Sequence, residues 1–212
     1  MTRLARICGE IESCKIFCDV GCDHGYITEY VLNNNLCERA IITDISMPSL
    51  EKAEKLLETY IIQGKCFPYC TDGFTKIDTK IDTAVIAGMG GKEIISIINA
   101  TENLPDKLIL QPMKNQYELR KYISEKYKII KDYTFSEGKR FYDLMVLTNG
   151  SDNLTEKELM FGRTNLLERG DAFLNKIKEQ LKKIEKYLST DINDKSRQQL
   201  EKRYFDYKEL IN

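Results

Sequence analysis

The chain contains no tryptophan and a single histidine, His24, among its 212 residues. A Ser-His-Asp or Cys-His hydrolase would need that one histidine, yet the sequence has neither a G-x-S-x-G elbow nor a cysteine on a comparable turn. No apolar run approaches the roughly 20 residues that span a bilayer, and the amino-terminal residues lack the apolar region of a signal peptide. These absences argue against a hydrolase and against a membrane protein, and we expect a cytoplasmic chain.

Cysteine is frequent, but its spacing does not indicate a disulfide framework or a metal centre. The 7 cysteines are an odd number, and no C-x-x-C pair occurs among them. Cys14, Cys18 and Cys22 are four residues apart, but they straddle a predicted strand, where side chains on one face do not converge on a point. We therefore expect reduced thiols and no bound metal.

Neither sign of charge is in excess, because 32 Lys and Arg residues oppose 33 Asp and Glu residues for a net charge of −1. A nucleic acid would therefore have to bind a local basic patch rather than a basic protein as a whole.

The most informative stretch is a glycine turn at residues 19–26, with the sequence DVGCDHGY. It follows the apolar residues Ile16 and Phe17 and leads into a helix-like segment, which is the order of a nucleotide site in an α/β protein. A dinucleotide-binding turn has the form G-x-G-x-x-G with its acid far downstream, whereas here Asp19 precedes Gly21 by two residues. The acid-first spacing is typical of S-adenosylmethionine-dependent methyltransferases and disfavours a nicotinamide-dependent oxidoreductase.

Further acids and glycines follow the next predicted strands. Asp44 ends the β-branched run 40–43, Asp72 and Gly73 follow the run 66–70, and the run 81–87 leads into Gly-Met-Gly-Gly at 88–91. Each lone acid is also typical of a helix cap or turn, but the carboxyl ends of parallel strands share one crevice. We expect Asp44 to accept from ribose hydroxyls and Asp72 to meet an adenine amino group. His24 either contacts the methionine part of the cofactor or caps the following helix. The predicted cofactor-binding residues are Asp19, Gly21, Asp23, His24, Gly25, Tyr26, Asp44, Ile45, Asp72, Gly73, Ala87 and Gly88.

The alternation of apolar runs and helical patterns predicts a βαβ sheet of mostly parallel strands over residues 1–150. The last two runs, 128–135 and 141–147, are joined by only five residues, which permits an antiparallel hairpin and no crossover helix. A parallel sheet that ends in such a hairpin is the Rossmann-like class I methyltransferase fold.

Residues 151–212 have a different pattern, with apolar residues three and four apart on two segments separated by a turn at 189–194. We predict an α-helical coiled-coil hairpin and a monomer, with a dimer left open. Lysines crowd the first of these helices, at positions 176, 178, 182, 183 and 186. That face is either a solvated helix surface or an arm that positions RNA phosphates without reading bases.

Four segments together resemble the bacterial tRNA (adenine-22 N1)-methyltransferase family, TrmK. They are DVGCDHGY at 19–26, IAGMGG at 86–91, LILQP at 108–112 and EGKRFY at 137–142, and the resemblance covers nearly the whole chain. The sequence departs from the family pattern at Gly25, where Ala is frequent, at Thr43-Asp44, where Gly-Glu is usual, and at Met113, where Asn is common. Asp44 preserves a carboxylate, whereas Met113 removes an amide.

The resemblance implies that S-adenosylmethionine is the cofactor and that the methyl acceptor is N1 of an adenine in tRNA. Adenine N1 already carries a lone pair, so no catalytic acid or base is assigned. The glycine turn and Gln111 would accept from the exocyclic amine, and Met89 would either hold the base or serve as packing. The predicted substrate-binding residues are Gly88, Met89, Gly90, Gln111, Lys176, Lys182 and Lys183. The alternatives are a methyltransferase for a small molecule or a protein, and a cofactor-binding module without catalysis.

Overall fold

The computed structural model of the chain describes residues 1–211. Its strands are β1 (Cys14–Val20), β2 (Cys37–Asp44), β3 (Cys66–Cys70), β4 (Thr83–Met89), β5 (Lys107–Pro112), β6 (Tyr127–Glu137) and β7 (Arg140–Asn149). The helices among them are α1 (Arg3–Cys8), α2 (Tyr26–Asn33), α3 (Met47–Leu56), α4 (Glu58–Ile62), α5 (Gly91–Asn99) and α6 (Gln116–Ile123). Four more helices follow the last strand: α7 (Glu156–Phe161), α8 (Arg163–Glu168), α9 (Asp171–Leu188) and α10 (Asp194–Lys208).

The strands form one sheet in the order β3-β2-β1-β4-β5-β7-β6. The first five strands pair in parallel, and β7 pairs antiparallel with both β5 and β6. The predicted sheet with its antiparallel hairpin is therefore confirmed. Because the order reverses between β1 and β4, the carboxyl ends of these two strands flank the crevice in which ligands of such sheets bind.

Both faces of the sheet are buried, as the continuous apolar runs require. Alternate strand residues point to opposite faces, so Val85 packs in the cluster that contains α1 to α3 residues and its neighbour Ile86 packs in the cluster that contains Ile94 of α5. The start of α3 is set locally: the Ser46 hydroxyl accepts a hydrogen bond from the Ser49 N–H at the helix N-cap.

The strand before the glycine turn ends later than the sequence indicates. We predicted the run 81–87, but β4 extends to Met89. The extension is a bulge: the register with β5 shifts between Ala87 and Met89, and Gly88 has φ of +82°. Glycine adopts this conformation without the steric cost of a Cβ.

The carboxyl-terminal segment contains more than the predicted helical hairpin. The antiparallel helices α9 and α10 are present, with Asn193 as the N-cap of α10, but the short helices α7 and α8 precede them and were not predicted. Gly162 separates α7 from α8 with φ of +86°, and a Cβ there would lie 2.8 Å from the Asp132 carboxylate. Each of these two helices has 6 residues, which is too short to show a repeating apolar pattern in the sequence.

A buried ion pair fastens this segment to the sheet. Arg120 of α6 and Asp132 of β6 are 2% and 1% exposed, and the Arg120 Nε lies 2.6 Å from an Asp132 carboxylate oxygen. Arg120 Nη1 also donates to the carbonyls of Leu159 and Met160 in α7, at 3.1 and 3.3 Å. Although burial opposes the charge, the nearby Asp132 carboxylate raises the pKa of Arg120.

The 7 cysteines are free thiols. Over residues 1–211, no three or more His, Cys, Asp or Glu side chains are grouped so as to hold a metal ion. In the same part of the chain, no helix has the length and apolar character needed to cross a membrane.

Candidate cofactor and substrate site

A cavity of about 530 Å³ lies at the carboxyl ends of β1 to β4. Every predicted cofactor-binding residue except Gly25 lines this cavity, and so does Met89. The strands that were separate in the sequence thus bring their terminal acids and glycines to one crevice. The volume is within the range of about 300 to 1,000 Å³ that is usual for small-molecule sites.

The turn after β1 depends on two glycines with different roles. Gly21 has φ of +69°, and a Cβ there would overlap the Met89 methyl group. Gly25 has φ of +76°, and a Cβ there would lie 3.1 Å from both Ala53 and Leu57. Gly25 therefore allows the turn to pack closely against α3, which explains why it lies behind the cavity wall.

Asp44 links two turns of the cavity. One of its carboxylate oxygens accepts from the Asp23 N–H at 3.1 Å and the other from the Ser46 N–H at 2.8 Å. A carboxylate has about four acceptor positions, so these two bonds orient the group and leave capacity for a ligand hydroxyl.

Asp19 is a buried carboxyl on the cavity wall. It is 3% exposed and accepts from the Thr28 hydroxyl at 2.9 Å. Burial raises its pKa to about 6, against the opposing effect of the Thr28 hydrogen bonds. A cation bound in the cavity would favour the ionised form of this carboxyl.

His24 and Tyr26 form a stacked pair at the cavity. Their ring centroids are 5.4 Å apart with an interplanar angle of 13°, and both side chains are exposed. Gly25, not His24, is the N-cap of α2, and no side chain caps that helix. The capping role considered for His24 is therefore wrong, because the helix starts one residue later.

Near β2 and β3 the cavity wall contains both a carboxylate and apolar side chains. Asp72 is exposed, Gly73 is buried with φ of +56°, and a Cβ at Gly73 would lie 2.6 Å from Ile97. Ile45 is 75% exposed although it is apolar. This combination offers an apolar surface next to a carboxylate, which suits a planar base with an amino group.

Arg3 is a residue of the site that the sequence did not reveal. Within residues 1–211, it is the one lysine or arginine among the residues that line the cavity. Its Nη1 donates to Gln111 Oε1 at 3.1 Å, and its guanidinium lies 5.9 Å above the Tyr142 ring. The apolar spacing of Leu4 and Ile7 indicates helix α1, but nothing in that spacing singles out Arg3.

Two glycines of the turn after β4 have different neighbours: a side chain at Gly90 would meet another side chain, and a side chain at Gly91 would meet backbone. A Cβ at Gly90 would lie 2.7 Å from the Lys114 Cε, whereas a Cβ at Gly91 would lie 2.6 Å from the Asn115 carbonyl oxygen. The Gly91 N–H also donates to the Lys114 carbonyl at 2.9 Å. Gly90 is thus covered by a movable side chain and Gly91 by backbone, while Gly88 is exposed.

Gln111 lies behind the cavity wall rather than on it. Its side chain is fully buried; its oxygen accepts from Arg3, and its Nε2 donates to the Pro112 carbonyl at 3.2 Å. The Gln111 oxygen, which was considered as an acceptor for a base amine, instead accepts from Arg3 in this structure.

The structure separates the three predicted tail lysines. Lys182 and Lys183 are exposed on α9, but the Lys176 Nζ lies 2.6 Å from the Asp143 carboxylate, which is 3% exposed. Although burial alone would raise it, Lys176 and Arg120 hold the pKa of Asp143 below its usual range. Lys176 does not belong to a free basic face, because a buried carboxylate requires a partner.

Comparisons with known proteins agree with this arrangement. A family model described as tRNA (adenine(22)-N(1))-methyltransferase, TrmK, matches residues 17–209. The chain is 24% identical over 228 residues to the tRNA (adenine(22)-N(1))-methyltransferase of Bacillus subtilis, covering 99% of this chain and 96% of that protein. It is 30% identical over 139 residues to a Mycoplasma genitalium protein provisionally named a tRNA methyltransferase, covering 63% of this chain and 62% of that relative.

A solved structure is similar over the full length. The M. capricolum TrmK structure, which contains S-adenosyl-homocysteine, has a TM-score of 0.90 at 23% identity and covers 100% of this chain and 97% of that one. This likeness shows the common fold, and the family model spans most of the sequence. The chain therefore belongs to the tRNA (adenine(22)-N(1))-methyltransferase family.

Proposed function

We propose that this chain transfers a methyl group from S-adenosylmethionine to N1 of an adenine in tRNA, at position 22. The observation that carries the proposal is the single cavity in which the acid-first turn, Asp44 and the Gly88 bulge meet, in a chain of this family. S-adenosylmethionine, when bound, supplies an activated methyl group on a sulfonium.

The charges of the cavity fit that cofactor. Asp44 has acceptor capacity for ribose hydroxyls, and Asp19 would accept from an ammonium group. Arg3 would bind the carboxylate of the cofactor. The Gln111 contact engages one of its nitrogens, and arginine carries five N–H donors, so donors remain for a ligand. A nicotinamide dinucleotide would instead need a cradle for its pyrophosphate.

The reaction needs orientation more than proton transfer. Adenine N1 is a nucleophile in its neutral form, so the protein has to hold it in line with the methyl group in a dry site. Gly88 is exposed beside Met89, and the absence of a side chain there allows backbone to approach a planar base closely. Gly90 is buried under the Lys114 stem and does not line the cavity, so it would shape the pocket from behind the turn. Backbone carbonyls of this turn would accept from the exocyclic amine as positive charge develops.

Lys182 and Lys183 would contact phosphates of the tRNA from α9. Such contacts position an RNA without reading its bases. The chain would act in the cytoplasm. It would act as a monomer, because α10 already packs against α9 in the same chain, where the Tyr204 hydroxyl donates to Glu185 at 3.1 Å.

The direct test is incubation of the protein with labelled S-adenosylmethionine and unmodified tRNA transcripts, followed by nucleoside analysis. We expect 1-methyladenosine, and a transcript with guanosine at position 22 should remain unlabelled. Label in protein or in a small molecule, with none in the tRNA, would overturn the proposal.

Replacement of Asp44 by alanine should weaken S-adenosylmethionine binding about tenfold to hundredfold, because the ribose hydroxyls lose a charged acceptor. The measurement is a calorimetric titration of variants with unchanged melting temperatures. Asp72→Ala serves as a control at an exposed acid of the same cavity and should cost less. Unchanged affinity in Asp44→Ala would show that Asp44 only connects the two turns and does not bind the cofactor.

Binding of S-adenosylmethionine should strengthen about tenfold between pH 5 and pH 7, because Asp19 is mostly protonated below its raised pKa and ionised above it. The ionised carboxylate attracts the cationic cofactor, so affinity rises with pH. Titrations of the wild type and of Asp19→Asn check this. The variant should bind more weakly at pH 7 and show a flat profile; an equal slope in both proteins would contradict the role of Asp19.

A further inference from the structure

A second cavity, of about 400 Å³, lies between the loop after β5, the start of β7 and helices α9 and α10. Pro112, Phe141 and Tyr142 of this cavity lie in the segments at 108–112 and 137–142, but the sequence predicted no pocket there. Its wall includes Lys114, Phe141, Lys176, Arg203 and Tyr207.

The cations of this cavity differ in their pairing. Arg120 and Lys176 are neutralised by Asp132 and Asp143. Lys114 and Arg203, in contrast, form no ion pair with any carboxylate of residues 1–211 and are exposed. The cavity therefore carries two positive charges without a counter-charge, as an anion site requires.

Aromatic and planar groups accompany these charges. The Arg203 guanidinium lies 5.7 Å from the centroid of the Tyr207 ring, and its Nη2 donates to the Tyr207 hydroxyl at 3.1 Å. This hydrogen bond orients the guanidinium relative to the Tyr207 ring. Phe141 is half-buried on the wall. Aromatic rings and arginine planes are the surfaces on which unstacked RNA bases are held.

The second cavity adjoins the first through one layer of side chains. Tyr142 lines the second cavity, and Arg3 of the first cavity lies above its ring. Gln111 bridges the same layer, since it accepts from Arg3 and donates to Pro112, which lines the second cavity. The stem of Lys114 covers Gly90 and reaches into the second cavity.

We propose that this second cavity binds a nucleotide of the tRNA strand adjacent to the methylated adenosine. Lys114 and Arg203 contact its phosphate, and its base packs against Phe141 and Tyr207. The inference rests on the proposed function. With the target adenosine at the glycine turn of the first cavity, the next nucleotide of the strand lies close to the second cavity, because one layer of side chains separates the two cavities. Binding a flanking nucleotide holds the strand in register, so that the adenine is presented to the first cavity.

The protein arm of the test compares Lys114→Gln and Arg203→Gln with two controls. Lys65→Gln replaces an exposed lysine that precedes β3, and Arg39→Gln replaces an exposed arginine of β2, both outside the two cavities. We expect each cavity variant to raise the KM for tRNA about tenfold and to lower the salt slope by about one. Affinity for S-adenosylmethionine and the melting temperature should not change, and the controls should match the wild type.

The RNA arm compares the wild type with the Lys114→Gln, Arg203→Gln double variant on tRNAs that carry one neutral methylphosphonate, either 5′ or 3′ of the target adenosine. At one of these two positions, the methylphosphonate should raise the KM of the wild type about tenfold relative to unmodified tRNA. With the double variant, the modified and unmodified tRNAs should have the same KM. This non-additivity identifies a direct contact, because independent effects would multiply.

The outcomes separate the two proposals. Normal methylation by the wild type, together with cavity variants that match their controls or with multiplicative effects, would overturn the second cavity alone. Absence of 1-methyladenosine with the unaltered tRNA and the wild type would overturn the proposed function and this inference with it.

Discussion

Replacement of Gly90 by valine is expected to lower the rate of tRNA methylation on the order of a hundredfold, while S-adenosylmethionine binding changes little. Gly90 has φ of −72° and ψ of 147°, an extended conformation that valine adopts readily. The backbone should therefore tolerate the change. The branched side chain would push away the Lys114 stem and the Glu93 carboxylate and so shift the turn against which we place the adenine. A displacement of about 1 Å in the reacting geometry is enough for such a loss.

The measurements are single-turnover methylation, cofactor titration and a thermal melt on each variant. Gly170→Val is the matched control: Gly170 has φ of −59° at the start of α9, and a Cβ there meets nothing within 4 Å. Gly91→Ala should instead destabilise the protein, because its Cβ meets backbone. Full methylation by Gly90→Val would remove the turn from the substrate pocket, and loss of cofactor binding as well would make its role structural.

Replacement of Arg120 by methionine is expected to lower the free energy of unfolding by about 3 to 5 kcal/mol. The change leaves the Asp132 carboxylate buried without its partner and frees two carbonyls of α7. Lys157→Met is the control, because Lys157 and Glu209 form an exposed pair at 61% and 64% exposure, and exposed pairs contribute little to stability.

Urea unfolding followed by circular dichroism measures this loss, and the Arg120→Met, Asp132→Leu double variant should recover part of it. Recovery is expected because a buried ion pair is often replaced by apolar groups at little cost. Equal destabilisation by Arg120→Met and Lys157→Met would show that the buried pair does not hold the segment in place.

The sequence predicts the features of this protein that are local or periodic. The turn at Gly21, the acid at Asp44 and the antiparallel hairpin follow from spacing, because strand order brings the ends of parallel strands together. Arg3 and Lys114 could not be found in this way, since each reaches its cavity from an element distant in the chain. The pairing of Lys176 with Asp143 was hidden for the same reason: a helix pattern does not reveal which carboxylate lies opposite.

The attachment of α7 through Arg120 sets up a gradient of local stability along the carboxyl-terminal segment. Opening α7 would expose the Asp132 carboxylate and Gly162 together, so we expect its amide protons to exchange only when the whole protein unfolds. Helix α10 has no buried residue, and its amides should exchange by local fraying, orders of magnitude faster. Arg203 and Tyr207 lie on that fraying helix, so a ligand in the second cavity would be seen first as slowed hydrogen exchange in α10.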